Sequence, residues 1–181
     1  MESKLTETPF LQLLGITDRY AALAYENYSL VRSLAERLRD GFCKHLNAGD
    51  GDCVFLIPPS GPFIPKNYGS GAFSVTGNSY LQLSPVSFGL AVRVSAKDDW
   101  LRVVFSCAVE GGKLQAFIEG GMSFDLDLPL DDKQVKTMFE PLYRHIYDWF
   151  DDRVVQYEQG SYGSREIGFE IINASELGSK T

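Results

Sequence analysis

Two arginines, Arg93 and Arg102, flank a polar turn in "VRVSAKDDWLR", Val92 to Arg102, and are the residues whose type and spacing most invite chemistry. The alternating apolar residues on either side pair as Val94 with Leu101, Val92 with Val103 and Leu90 with Phe105, which leaves a four-residue loop, Ala96 to Asp99. That register sets Arg93 opposite Arg102, and like charges directly across a strand pair repel. Two neighbouring guanidinium groups are also a fork for carboxylate or phosphate. The juxtaposition therefore has two readings. Either the face meets a ligand or protein surface with negative groups, or Glu119 neutralises Arg102 while Arg93 reaches water or a helix carboxylate. Phe117 is an apolar island on the same face, among Ser87, Gly89, Ala91 and Ser106, whose small size permits close approach by another surface.

A second candidate is "NYGSGAFSVTG", Asn67 to Gly77, glycine-rich enough to wrap a phosphate with backbone amides. Tyr68 and Ser70 within it join Arg93, Arg102, Glu119 and Phe117 as candidate binding residues. The segment lacks a lysine at the expected place and follows no evident strand, so a surface loop or lid is the plainer reading.

Catalytic signatures are absent from the sequence: there is no GxSxG elbow, no Walker sequence ending in GK[ST], no GxGxxG and no HExxH. Cys43 and His45 are two apart on a helix and so diverge, which does not make a zinc set with Cys53. His145, Asp148, Asp151 and Asp152 share a helix face and read as a solvated acidic surface rather than as ligands. Cys107 points to the core side of a strand, where a thiol is inert. No catalytic residue, metal or cofactor is assigned.

The elements that position these residues follow from periodicity. Leu30, Val31, Leu34, Leu38 and Phe42 mark an amphipathic helix from about Thr17 to Leu46, followed by a short strand, Val54 to Ile57. A Pro- and Gly-rich stretch, Pro58 to Gly77, carries an edge strand near Ala72 to Thr76. Four alternating strands then form an antiparallel meander from Phe88 to Leu128. A two-residue turn at Gly111 and Gly112 keeps core residues opposite one another. A three-residue loop, Glu119 to Gly121, is needed for the next hairpin, with one glycine left-handed. Asp131 starts a C-terminal helix with a long apolar stripe, which Pro141, lacking a backbone donor, kinks or divides into two helices meeting near Glu140. Glu166 to Ile172 reads as a last strand.

The expected fold is α+β: an antiparallel sheet of about five to seven strands with the N-terminal helix and the kinked C-terminal helix on one face. All 181 residues form one domain, 1–181, with peripheral tails at about 1–16 and 173–181. With 44% hydrophobic residues the chain can build a core unaided by metal or disulfide. Three cysteines suit reduced thiols, and no leader or membrane-spanning run is evident, so a cytoplasmic protein is expected. A net charge of -7 argues against direct nucleic-acid binding.

The preferred function is a non-catalytic binding protein, such as an inhibitor, adaptor, immunity-like factor or chaperone. It would act on a protein partner, or on a second copy of itself, through the exposed sheet face. Sensing of a small anionic ligand in a pocket between the sheet and the C-terminal helix is the alternative. An enzyme with dispersed acidic and histidine residues ranks third. A partly empty pocket would favour the ligand, and a flat exposed face a protein.

Overall fold

A computed structural model describes residues 8–49, 51–75, 80–160 and 169–178. Helix α1 (Pro9–Leu46) begins eight residues before the expected start. The signal is the pair Thr8 and Pro9: Thr8 accepts a hydrogen bond from the Leu11 amide, and Pro9 occupies a position whose N–H is not needed. Asn47 ends the helix in the left-handed region with φ 49°. The chain then doubles back into β1 (Val54–Ile57), and Cys43 and Cys53 come within 5.4 Å, Cα to Cα, and are bonded. This corrects the expectation of three reduced thiols. The reason is the helix stop, which places two cysteines of distant spacing side by side. Cys107 is the free thiol, buried, and burial pushes its pKa far above the ordinary range.

The meander consists of β2 (Val86–Arg93), β3 (Asp99–Glu110), β4 (Lys113–Ile118) and β5 (Ser123–Asp127). With β1 it runs in spatial order β1-β2-β3-β4-β5, all antiparallel. A sixth strand, β6 (Glu170–Asn173), lies beside the first four residues of β3, while β4 takes the remainder of that edge. Positions 166–168 of the expected last strand lie outside the described residues. So does Thr76 of the expected edge strand. Residues Gly69–Ala72 instead form a 3-10 turn, and Phe73 makes one bridge to Phe88.

The β2–β3 register differs from the expected one by two residues. Val92 faces Leu101, Leu90 faces Val103 and Phe88 faces Phe105, so Arg93 lies opposite Trp100, and Arg102 opposite Ala91. A shift of two keeps every side chain on its face, which is why alternation could not reveal it. The turn decides it. Ser95 Oγ accepts from the Lys97 and Asp99 amides and donates to the Asp99 carboxylate at 2.6 Å, and Asp98 adopts φ 65°. These bonds stabilise a loop placed one residue earlier than the apolar pattern alone suggests, with the Val94 amide donating to the Asp99 carbonyl. The two arginines are not cross-strand partners.

One face of the sheet carries the main core. Val31, Leu34, Leu38 and Phe42 of α1 pack with Phe88 and Phe105, whose rings stack at 5.1 Å. The C-terminal helix closes the same face in two pieces, α2 (Asp132–Lys136) and α3 (Phe139–Glu158), through Val135, Met138 and Leu142. The break falls at Thr137–Met138, so Pro141 sits in the first turn of α3, where its missing N–H belongs to the unpaired end of a helix. Asn173 caps a last short helix, α4 (Ala174–Leu177), accepting from the Ser175 and Glu176 amides. Among the described residues, no helix is long and apolar enough to cross a membrane.

The Gly111–Gly112 turn and the Glu119–Gly121 loop give the expected pairings, Cys107 with Ala116 and Ala116 with Phe124. Gly120 has φ 76°, so Ala there is strained by about 1 kcal/mol. A Cβ at Gly121 would meet His145 Cε1 at 2.7 Å, so Ala at this glycine also destabilises, for a different reason. Thermal melts should show that His145→Ala relieves Gly121→Ala and leaves Gly120→Ala unrelieved; equal relief of both would refute this account.

Candidate functional site

Arg102 is 5% exposed. Its burial on the second sheet face comes from the chain itself: residues 58–68 cross that face, and Phe63 joins Ile57, Ala91 and Trp100 in a second, smaller core. The guanidinium lies 4.8 Å from the centre of the Phe63 ring. It donates to the carbonyls of Pro58 at 3.2 Å and Gly61 at 2.7 Å, and to the carboxylate of Glu170. The neutralising partner is thus Glu170 of β6 rather than Glu119. Phe63 and the loop carbonyls occupy the place that an external anion would take. Gly89 permits this approach, since a Cβ there would stand 2.8 Å from the Pro58 carbonyl oxygen.

Beside Arg102 lies a cleft of about 470 Å³ between the 59–61 loop, the β4–β5 loop and α3. Glu119 lines it, held by its amide to the Val104 carbonyl at 3.0 Å. His145, Trp149 and Phe169 complete the wall, with both rings packed on Phe169. Burial lowers the His145 pKa, and the nearby Asp148 charge offsets part of that effect, so the imidazole is favoured in its neutral form. The Trp149 indole N–H is buried with no partner among the described residues, and Arg153 stacks on its ring at 3.9 Å. Chemically the cleft offers a carboxylate, a neutral imidazole and an indole donor around an arginine that is already engaged. Among the described residues, no group of three His, Cys, Asp or Glu is placed to hold a metal ion.

Arg93 belongs to a different place. Its Nη2 donates to the Ala48 carbonyl at 2.8 Å, and it lines an apolar pocket of about 420 Å³ under the second half of α3. The two cavities share no lining residue. Tyr68 is a strut: its hydroxyl accepts from the Ile64 amide at 3.1 Å and its own amide donates to the Leu56 carbonyl at 2.9 Å, closing the covering loop. Ser70 is in the 3-10 turn, where its carbonyl accepts from the Phe73 amide. Phe117 stands half-exposed on the second face, opposite Ser106 and Ser123.

The structure therefore joins Arg102 and Glu119 in one cleft and separates Arg93, Tyr68, Ser70 and Phe117 from it. His145 and Trp149 were readable as parts of a helix but not as cleft walls, because the element they face, Phe169 and β6, is distant in sequence. Compared with known proteins, the chain matches no family model, no curated protein and no solved structure.

Proposed function

We propose that this chain is a non-catalytic binding protein that assembles with a second copy of itself through the N-terminal part of α1. One observation carries the reading. Phe10, Leu11, Leu13, Leu14, Ile16 and Leu23 are all exposed, Phe10 by 66%, on a helical arm that projects past the sheet by roughly 20 Å at 1.5 Å per residue. Leu13, Ile16 and Tyr20 stand eleven residues, three helical turns, before Ala24, Asn27 and Val31, so the arm continues the stripe that is buried further along. Where the stripe meets the domain it is firmly held. Tyr20 accepts from the Leu83 amide, and Asn27, itself buried, bonds to the Ser84 carbonyl and the Val109 amide.

Residues 9–17 carry no charge, in a chain of net charge -7. Two such arms can associate about a twofold axis without the repulsion that the rest of the surface would impose. A contiguous row of exposed apolar residues of this kind marks an interaction site. The sheet face preferred from the sequence supports the reading less well, since residues 58–68 cover its Arg102 end.

Size-exclusion chromatography with light scattering tests this on the full chain. The expected mass is twice the 20.2 kDa of one chain, falling to that of a folded monomer in Leu13→Glu/Ile16→Glu. A wild type that stays monomeric at every concentration, or a variant that stays dimeric, overturns it. So does a monomer that sediments with phosphatidylcholine vesicles, which would assign the arm to lipid.

A further inference from the structure

The apolar stripe of α3 runs Leu142, Ile146, Phe150, Val154, one residue per turn. Its first two members are buried, Phe150 is half-buried, and Val154 is 54% exposed. The second half of α3 therefore stands off the sheet, and the space beneath it is the 420 Å³ pocket, walled by Val92 and Val94 on the sheet side and by Ile146, Phe150 and Val154 on the helix. Tyr143 and Tyr147 add two rings, 5.9 Å apart. The volume falls within the range of small-ligand sites, which combine apolar walls with few polar groups.

Two charged side chains reach this pocket, Arg93 and Asp151. Neither makes an ion pair among the described residues. Arg93 spends one nitrogen on the Ala48 carbonyl, which anchors the guanidinium, and keeps further N–H donors. An anchored arginine beside apolar walls suits a single carboxylate, whose two oxygens match its fork. Asp151 lines the same pocket and selects against a second negative charge.

We infer that the pocket between the sheet and α3 binds a small amphipathic monocarboxylate, its apolar body against Ile146, Phe150 and Val154 and its carboxylate on Arg93. This site is independent of the self-association described above.

Calorimetric titration of the full chain with phenylpropionate, its neutral amide phenylpropanamide and the dianion phenylsuccinate tests the inference. Phenylpropionate should bind once per chain, about tenfold more tightly than either comparison compound, the effect of one charge-assisted contact. Arg93→Gln should remove the advantage over the amide. Val154→Trp, a change at an exposed position that fills the pocket, should abolish binding of all three while leaving the circular-dichroism melt intact. Equal binding of acid and amide overturns the assignment, as does undiminished binding to a folded Val154→Trp chain or the lack of saturable binding by phenylpropionate. Because Leu13→Glu/Ile16→Glu should bind phenylpropionate as the wild type does, failure of one proposal is distinguishable from failure of the other.

Discussion

Replacing Arg102 with Met is expected to lower the stability of the fold by about 2–4 kcal/mol, because a buried guanidinium loses its hydrogen bonds to two carbonyls and hydrogen bonds to a charged group contribute about 1.5–3 kcal/mol. The carbonyls are those of Pro58 and Gly61, and the Phe63 ring loses its cation as well. The ion pair contributes less. The Glu170 side chain is 53% exposed and returns to water when its partner is removed, so Glu170→Gln should cost no more than about 1 kcal/mol. Arg93→Gln should also fall within that range, since Arg93 holds one exposed carbonyl. Thermal melts of the three variants decide the matter. An Arg102→Met chain as stable as Arg93→Gln would mean that residues 58–68 do not depend on the guanidinium. Partial recovery in Arg102→Lys would be consistent with the anchor, since a point charge can reach one carbonyl but not both.

That expectation decides between the two sequence readings for Arg102, whose guanidinium is engaged within the chain rather than offered to an external anion, and the outcome shows what a sequence can carry. Alternation placed Leu90, Val103, Phe105 and Ala116 on one face correctly, and the two glycine turns fixed the β3–β4 and β4–β5 registers, because each turn type allows few strand alignments. The β2–β3 turn was different. Its geometry depends on hydrogen bonds from Ser95 and on a left-handed Asp98, neither of which leaves a periodic trace. The cover over Arg102 was harder still to see. Residues 58–68 read as loop from their prolines and glycines, and only Phe63 hints that part of that loop is buried. Glu170, the true partner, lies 68 positions from Arg102, a separation on which local patterns are silent. The arm of α1 reads as tail when the apolar stripe is followed only from about Thr17; Thr8 and Pro9 mark the true start, and a search for capping residues upstream of the stripe finds them. The disulfide was not legible, since spacing cannot tell that a helix stops and the chain turns back between its two cysteines.

Gly89→Ala tests the same cover from beneath. The added Cβ would stand 2.8 Å from the Pro58 carbonyl oxygen, 3.0 Å from Ile57 Cγ1 and 3.1 Å from the Ile57 carbonyl oxygen. Two of these three atoms are backbone, which cannot rotate aside, so β1 and the start of the covering loop must shift outward. Forcing a methyl group into such a site typically costs about 1–3 kcal/mol. The shift carries the Pro58 carbonyl away from Arg102, so the two residues act through one loop and their effects should not add. The double variant Gly89→Ala/Arg102→Met is expected to be more stable than the sum of the single losses by about 1 kcal/mol, since a loop already displaced has fewer bonds left to lose. Trp100 provides a direct reading of the displacement. It is buried beside Phe63 and stacks on Phe55 at 5.1 Å, and the other tryptophan, Trp149, can be removed as Trp149→Phe to isolate its signal. In that background, Gly89→Ala should shift the Trp100 emission to the red as water reaches the ring. Additive losses together with an unshifted emission would show that the loop is held to the sheet elsewhere, and that Gly89 and Arg102 answer to separate constraints.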